Sequence, residues 1–196
     1  MSQPAPQPWT VDTFFDWQER QEDRYELVNG FPLRLMAGAR NVHNLIVINL
    51  LGELRTRLRG SGCWPFNGDC SVRTGPDRIR RPDVGVSCGK LDPDGLLAPD
   101  PRLIAEVLSP SARDFDTFEK VEEYKGIPGL HYVLVIEPNA PQVSLWARED
   151  DEGWRRLTFE TLADTVELPH LGLSLRLADI YEGVDFPPRP RLVSGE

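Results

Sequence analysis

The order of apolar patterns along the chain predicts an α/β or α+β domain built on one central sheet. Three observations lead to this fold class: a hairpin signal near the N-terminus, two helical stretches that alternate with short β-type runs, and a meander of strands after the second helix. With 196 residues, 40% of them hydrophobic, the chain can bury the core of a single domain. We therefore assign residues 11–186 to one domain, preceded by a flexible lead-in (1–10) and followed by a Pro-rich tail (187–196).

The first predicted elements are a hairpin and a long helix. The stretch YELVNGFPLRL (25–35) predicts the hairpin, because Asn29 and Gly30 suit the positive-φ positions of a type I′ turn. The stretch ARNVHNLIVINLLGELRTRLRG (39–60) predicts a helix that ends at Gly60. One stripe of this helix combines a histidine with aliphatic residues: His43, Val47, Leu50, Leu54 and Leu58.

The remaining chain alternates between strands and helices. Strands are expected over 62–66 and 70–73, on either side of an Asn67-Gly68 turn, and within RRPDVGVS (80–87) and LIAEVL (103–108). A second helix is expected within SPSARDFDTFEKVEEYKG (109–126), with Ser111 as its N-cap and Gly126 as its end. The meander and a short closing helix follow in HYVLVIEP (131–138), QVSLWARE (142–149), GWRRLTFE (153–160) and LADIYEG (177–183).

Composition narrows the class of protein. The chain has no apolar run of about 18 residues, so no membrane span is predicted, and its N-terminus lacks the features of a signal peptide. Cys63, Cys70 and Cys88 are widely spaced without a CxxC pair, which predicts reduced thiols in a cytoplasmic protein. The net charge of −9 argues against a non-specific nucleic-acid coat. Seven arginines between residues 51 and 81 would form either a local basic face or an ordinary solvated surface.

Two acids lie inside β-type runs, where ionised carboxylates are rare unless they are paired or hold a cation. Asp83 shares a strand face with Gly85, which would leave open space beside the acid, while Glu106 shares a face with Ile104 and Leu108. Neighbouring strands could present both carboxylates to one pocket, where repulsion would raise one pKa unless a cation lay between them. Such oxygen ligands favour Mg²⁺ or Mn²⁺. The alternative is a salt bridge from each acid to one of three arginines: Arg80, Arg81 or Arg102.

These motifs resemble those of a known family. RRPDVGV, followed by PRLIAEVLSPSARDFDTFEKVEEYKGIPGLHYVLVIEP, is similar to the Uma-two family of restriction-endonuclease-like proteins, in the PD-(D/E)xK nuclease superfamily. The likeness includes the PD dipeptide, the EVLSP strand end, the D-x3-K-x3-Y helix and the Gly-x-x-Tyr strand entry, with YELVNG and GARNVHNLI upstream. It extends from about Tyr25 to beyond Trp146, which is most of the domain.

The resemblance implies a restriction-endonuclease-like fold, in which a central mixed sheet is flanked by helices. It also implies a metal-dependent endonuclease that hydrolyses phosphodiester bonds in DNA, with Asp83 and Glu106 as ligands of Mg²⁺ or Mn²⁺. In the superfamily a lysine usually stands two residues after the second acid, but this sequence has Leu108 there. The resemblance therefore implies that Lys120, from the following helix, is the catalytic amine.

Helical spacing supports this position for the lysine, because Asp116, Lys120 and Tyr124 lie along one stripe, from which the lysine could reach over the strand ends toward the acids. The alternative is a solvent-exposed Lys120 that pairs with Asp116 or Glu123. Lys125 is a rival lysine at the end of the helix, but it matches no position of the family pattern.

Glu26, His43 and Tyr124 are second-tier pocket residues. Glu26 fits the family pattern as an extra ligand or an orienting group, or is a strand-edge carboxylate; His43 lines the pocket or is a hydrogen-bonded core histidine. The rival function is a catalytically silent nuclease fold that acts as a binding or regulatory module. A glycoside hydrolase with two carboxylates is less favoured, because the five tryptophans are scattered. A homodimer is expected by analogy with nucleases that cut both strands.

Overall fold

The computed structural model describes residues 7–35, 40–109, 115–149 and 153–186. The elements in these residues are α1 (Val11–Gln18), β1 (Tyr25–Val28), β2 (Phe31–Arg34), α2 (Asn41–Arg57), β3 (Trp64–Asn67), β4 (Val72–Gly75), β5 (Arg78–Arg80), β6 (Val84–Ser87), β7 (Pro101–Val107), α3 (Phe115–Lys125), β8 (Tyr132–Glu137), β9 (Gln142–Glu149), β10 (Gly153–Phe159), β11 (Thr165–Leu168), a 3₁₀ turn (Pro169–Leu171), β12 (Leu173–Arg176) and α4 (Leu177–Ile180).

These strands form three sheets, so the expectation of one central sheet is incomplete. The largest is a mixed sheet in the order β10-β9-β8-β7-β6-β3, in which β7 and β8 are parallel and the other neighbours are antiparallel. The N-terminal hairpin lies in a second sheet, β2-β1-β5-β4, and β11 pairs with β12 in a third. Because parallel neighbours need a crossover, the segment with α3 connects β7 to β8 across one face of the large sheet.

The predicted mixed fold, with helices flanking the sheet, is confirmed. Side chains of β7 alternate between two apolar clusters: Leu103, Ala105 and Val107 pack with α2, and Ile104 packs with α3. Since side chains alternate along a strand, Glu106 faces the α3 side of the sheet together with Ile104. The fold thus places this acid under the helix that carries Lys120.

Most of the predicted elements are present. Asn29 and Gly30 both have positive φ (52° and 79°), as a type I′ turn requires, and β8, β9 and β10 form the predicted meander. The Asn67-Gly68 turn is present, but β3 and β4 on its two sides belong to different sheets. The apolar pattern does not predict α1, β5, β11 or β12, and the expected N-cap Ser111 lies outside the described residues.

The cysteine prediction is wrong for one pair, because Cys63 and Cys88 form a disulfide. Cys63 precedes β3 and Cys88 follows β6, and the antiparallel register that pairs Trp64 with Ser87 places the two cysteines opposite each other. Cys70 is a free, half-buried thiol, and burial raises its pKa to about 11. The predicted cytoplasmic location was based on reduced thiols, and the disulfide removes that argument.

The open space expected beside Asp83 at Gly85 is filled by an aromatic ring. Phe66 on β3 is the cross-strand neighbour of Gly85, and its ring occupies the volume that a Cβ at residue 85 would need. Gly85 therefore allows Phe66 to pack against the sheet, and it does not widen a ligand pocket.

Ordered packing includes residues before α1. The Trp9 N–H donates to the Gly30 carbonyl oxygen (2.7 Å), and the Trp9 ring packs edge-on against Trp17. The division of the chain at residues 10 and 187 stays a prediction, and the 187–196 tail lies outside the described residues. Within the described ranges, the helices are too short or too polar to cross a membrane.

Candidate active site

Two neighbouring strands bring Asp83 and Glu106 together. Val84 pairs with Ala105 in the antiparallel register of β6 and β7, and one further step along that register sets Asp83 opposite Glu106. Asp83 Oδ2 accepts a hydrogen bond from the N–H of Val107, the residue after Glu106, and at this range Asp83 contributes to raising the pKa of Glu106. The predicted juxtaposition of the acids is therefore present in the structure.

Asp83 is held by the next strand and by helix α2. Its Oδ2 accepts a hydrogen bond from the Val107 N–H (2.8 Å) and lies 3.2 Å from His43 Nε2. The hydrogen bond to Asp83 raises the pKa of His43, although burial opposes this shift. His43 also lines a small pocket together with Arg40, Val42, Leu108, Ser109, Pro138 and Asn139. His43 thus orients the carboxylate of Asp83 and is not solely a core residue.

Glu106 is the most perturbed acid in this group. Its side chain is only 12% exposed, and burial raises its pKa to about 7, with Asp83 and Glu26 contributing in the same direction. Lys120 and the hydrogen bond from Tyr124 oppose this rise. The Tyr124 hydroxyl donates to Glu106 Oε1 (2.6 Å) from the buried face of α3. Tyr124 therefore contacts a predicted site residue directly.

Lys120 reaches the acids from α3, as its helical position predicts. Its Nζ lies 3.9 Å from Glu106 Oε1 and 3.3 Å from Glu26 Oε1, and its side chain is only 15% exposed. The alternative of a solvent-exposed lysine paired with Glu123 is therefore wrong. The side chain of Asp116, the other suggested partner, lies outside what the structure describes.

Glu26 is a buried anchor and not a strand-edge carboxylate, since β1 has neighbours on both sides and the side chain is 1% exposed. Its Oε2 accepts from Arg80 Nη1 (2.9 Å), and its Oε1 accepts from the Arg81 N–H (3.0 Å). Arg80, 2% exposed, also donates two hydrogen bonds to Glu123 on α3 (2.7 and 2.8 Å). The ion pairs Glu26–Arg80 and Arg80–Glu123 therefore fasten α3 to the four-stranded sheet beside Lys120.

The arginines considered as partners for Asp83 and Glu106 bind elsewhere. Arg80 binds Glu26 and Glu123, and Arg102 pairs with Asp100 (2.7 Å). Arg81 donates to backbone carbonyl groups of Tyr25, Gly68 and Asp69. Within the described residues, the two strand acids thus face His43, Tyr124 and Lys120 and are not neutralised by arginine.

Sequence reasoning considered Arg80 and Glu123 only as alternative partners of the strand acids and of Lys120, and it missed that they bind each other. The available signal was the spacing of Glu123, which comes three residues after Lys120 and so lies near it on the helix. The pairing of β1 with β5, which places Arg80 next to Glu26, has no comparable sequence signal.

The two carboxylates fit a divalent cation. Among the described residues, the contacts of Asp83 fall on Oδ2 and those of Glu106 on Oε1, so each group keeps a second oxygen for a further ligand. The same residues contain no cluster of three or more His, Cys, Asp or Glu side chains arranged around a metal site. Mg²⁺ commonly binds through one or two carboxylates and takes its other ligands from water and phosphate. The donor set therefore suits Mg²⁺ or Mn²⁺ better than a fully protein-bound zinc.

The sequence matches a family model over residues 11–178, and that family, Uma2, is described as "Putative restriction endonuclease". The chain belongs to the Uma2 family. This result confirms the resemblance carried by the PD, EVLSP and D-x3-K-x3-Y motifs. Membership in Uma2 indicates a nuclease-type enzyme.

Two relatives and one solved structure are similar to this chain over most of its length. The uncharacterized proteins slr1290 and sll1609 of Synechocystis sp. are 29% identical over 177 residues and 27% identical over 163 residues. These alignments cover 89% and 81% of this chain, and 92% and 90% of the relatives. The crystal structure described as a putative nuclease belonging to DUF820, from Anabaena variabilis, matches with a TM-score of 0.68 at 18% identity, covering 89% of this chain and 98% of that one. At this identity the structural match supports the fold alone.

Proposed function

We propose that this Uma2 protein is a divalent-metal-dependent endonuclease that hydrolyses phosphodiester bonds in DNA. The observation that carries the proposal is the meeting of Asp83, just before β6, Glu106 on β7 and Lys120 on α3 at one site. Family membership supports the same reaction class. The proposed assignment is of the PD-(D/E)xK type, with the lysine supplied by helix α3 instead of strand β7.

The carboxylates would hold Mg²⁺ or Mn²⁺. Asp83 and Glu106 provide oxygen ligands in a partly buried site, and without a cation burial, with repulsion from Asp83 in addition, favours protonation of Glu106. When bound, the cation would neutralise charge on the phosphate and lower the pKa of water. Carboxylates alone would repel the anionic substrate, so the proposal requires the metal.

The other side chains have roles that follow from their contacts. Lys120 brings a positive charge to Glu106, where it would orient the attacking water or stabilise charge that develops on the phosphate. Glu26 holds the ammonium group of Lys120, and His43 holds Asp83. Tyr124 fixes Oε1 of Glu106 by donating its hydroxyl proton into a hydrogen bond.

The first test is metal binding, measured by isothermal titration with MgCl₂ and MnCl₂. We expect wild type to bind and Asp83→Ala to lose binding. Asp94→Ala, which removes an exposed carboxylate from the loop after β6, is the matched control and should bind as wild type does. A wild-type protein that binds neither ion would refute the metal site.

The second test is cleavage of supercoiled plasmid in the presence of Mg²⁺ or Mn²⁺. We expect wild type to nick the plasmid and Lys120→Ala to leave it intact. Lys90→Ala removes an exposed lysine from the same loop as Asp94 and should retain activity. If metal binds but wild type cuts neither plasmid nor single-stranded DNA, the catalytically silent module replaces the endonuclease as the best assignment.

Two further properties stay predictions. A homodimer is expected if both strands are cut, and light scattering coupled to size exclusion would measure the mass in solution. A cytoplasmic location is also part of the proposal, although the disulfide of Cys63 and Cys88 does not support it.

A further inference from the structure

The sheet face that carries Glu106 continues onto β9 and β10. The strand registers align Glu106 with Val135, Ser144 and Thr158 in one row across the sheet. In the next row Ile104 and Val133 are followed by Trp146 and Arg156. At about 4.8 Å between neighbouring strands, the backbone of β10 lies roughly 14 Å from that of β7.

Two arginine–tryptophan pairs lie side by side on this face. The Arg156 guanidinium lies 5.0 Å from the centre of the Trp146 ring, and Arg148 lies 4.5 Å from the centre of the Trp154 ring. Both pairs are direct cross-strand neighbours in the β9–β10 register. We call Ser144, Trp146, Trp154 and Arg156 the tryptophan–arginine face.

The two arginines differ in how many of their guanidinium donors are already used in hydrogen bonds. Arg148 donates to the backbone carbonyl groups of Lys125, Ile127 and Leu130, so it secures the end of α3 to the sheet. Arg156 is exposed and donates one hydrogen bond to Ser144 Oγ (3.1 Å). Among the residues that the structure describes, Arg156 contacts Trp146 and Ser144, which are both uncharged. No carboxylate among those residues therefore neutralises its positive charge.

The opposite face of β10 shows a different arrangement. Arg155 points the other way, and its guanidinium pairs with Glu149 (2.8 Å). The strand thus carries one arginine with a carboxylate partner and, on the face shared with Glu106, one arginine whose guanidinium lies over an aromatic ring.

We propose that the tryptophan–arginine face binds the DNA phosphate backbone beside the phosphodiester that is cleaved. This inference rests on the proposed endonuclease function and identifies where its substrate lies. A guanidinium suits phosphate because it offers several donors in a planar fork, and the contacts with Trp146 and Ser144 hold the Arg156 guanidinium in place.

The test measures binding of fluorescein-labelled DNA by anisotropy at several salt concentrations, with matched single-stranded and duplex probes. It uses Lys120→Ala as the background so that the probe stays intact in Mg²⁺. We expect Arg156→Ala to weaken binding about 3- to 10-fold and to reduce the slope of log Kd against log salt by about 1. Arg155→Ala removes the same charge one residue away, on the other face, and should change neither quantity.

The outcomes separate this inference from the proposed function. Equal binding by the Arg156→Ala and Arg155→Ala variants, together with plasmid nicking by wild type, would overturn the binding face and leave the endonuclease intact. Equal losses in both variants would indicate a diffuse charge effect and would also overturn it. If wild type fails to nick DNA, the endonuclease proposal fails, whatever the binding result. Circular dichroism of the exposed-site variants checks that their fold is unchanged.

Discussion

Replacing Arg80 tests whether the buried ion pairs hold the candidate active site together. Arg80 is 2% exposed and makes three hydrogen bonds to two carboxylates, one on β1 and one on α3. Arg80→Met keeps much of the side-chain volume but removes the charge and all of these donors. Glu26 would then keep Lys120 and the Arg81 N–H as partners, while Glu123 would keep the weaker contacts with Thr74 and Arg78.

The expected loss of stability is large because the substitution leaves buried charge without its partner. Removing one member of a buried ion pair typically costs about 3–5 kcal/mol. The matched control is Arg155→Met, since the Arg155–Glu149 pair is exposed (59% and 37%) and such pairs contribute about 0–1 kcal/mol. We therefore expect the free energy of unfolding to fall by roughly 3 kcal/mol or more for the first variant and to change by less than about 1 kcal/mol for the second.

The stability difference should also depend on pH. Burial would raise the pKa of Glu123, but the hydrogen bonds and charge of Arg80 outweigh it and lower that pKa below its ordinary value of 4.5. A lowered pKa in the folded state contributes stability that is complete above the ordinary value and is lost as the pH falls through the folded-state value. The gap between wild type and Arg80→Met should therefore narrow in acid, below about pH 4.5.

Urea unfolding followed by tryptophan fluorescence, at pH 7 and at several acid pH values, measures both effects. A destabilisation of Arg80→Met no larger than that of Arg155→Met would contradict the reasoning. A gap that stays constant into acid would show that the loss comes from packing instead of from the ion pairs. In the nicking assay the same variant should lose activity, because Arg80 no longer fastens α3, the helix that carries Lys120, to the strand that carries Glu26.

Three further predictions concern the sheet, the perturbed acid and the disulfide. Gly85→Ala should destabilise the protein by about 1–3 kcal/mol, because the new methyl group would overlap the Phe66 ring. Gly52→Ala lies in open space on α2 and should stabilise the protein by about 0.5–1 kcal/mol. Thermal melts would show whether each variant changes stability in the expected direction. Burial raises the pKa of Glu106 from 4.5 to about 7, so the folded state binds this proton more tightly than the unfolded state does. Wild-type stability should therefore fall as the pH rises through that window, and Glu106→Gln should remove this effect. Wild-type metal binding should strengthen as the pH rises through about 7, which titrations across this range would show. The Cys63–Cys88 disulfide closes a loop of 25 residues, and reducing it should lower the free energy of unfolding by about 3 kcal/mol. In thermal melts, reductant should therefore lower the melting temperature of wild type but leave that of Cys88→Ser unchanged.

Local patterns predicted much of the fold and the placement of one candidate site residue. Asn29-Gly30 predicted the hairpin turn, and strand alternation predicted the face of Glu106. Both inferences depend on neighbours close in sequence, for which backbone geometry fixes the direction of a side chain. The position of Lys120 near the acids was implied by the family resemblance, and helical spacing was only consistent with it.

The features that sequence reasoning missed depend on pairing between distant segments. Cys63 meets Cys88, and Phe66 fills the space at Gly85, only because β3 pairs with β6 in a particular register. Arg80 meets Glu26 because β5 lies beside β1 in a separate sheet. A one-residue change in register would turn these side chains to the opposite face of the sheet and break each of these contacts. Composition and periodicity do not encode the register of distant strands.

Helix α3 contributes Lys120 and Tyr124 to the candidate site and Glu123 to its anchor, and its C-terminal carbonyl groups are bound by Arg148. A detachment of this one segment would remove the amine, release a carboxylate and expose Glu106 to solvent in a single event. Readiness for catalysis is thereby tied to the docking of one crossover helix. Partial melting of α3 should therefore abolish cleavage at temperatures where the rest of the large sheet is still intact.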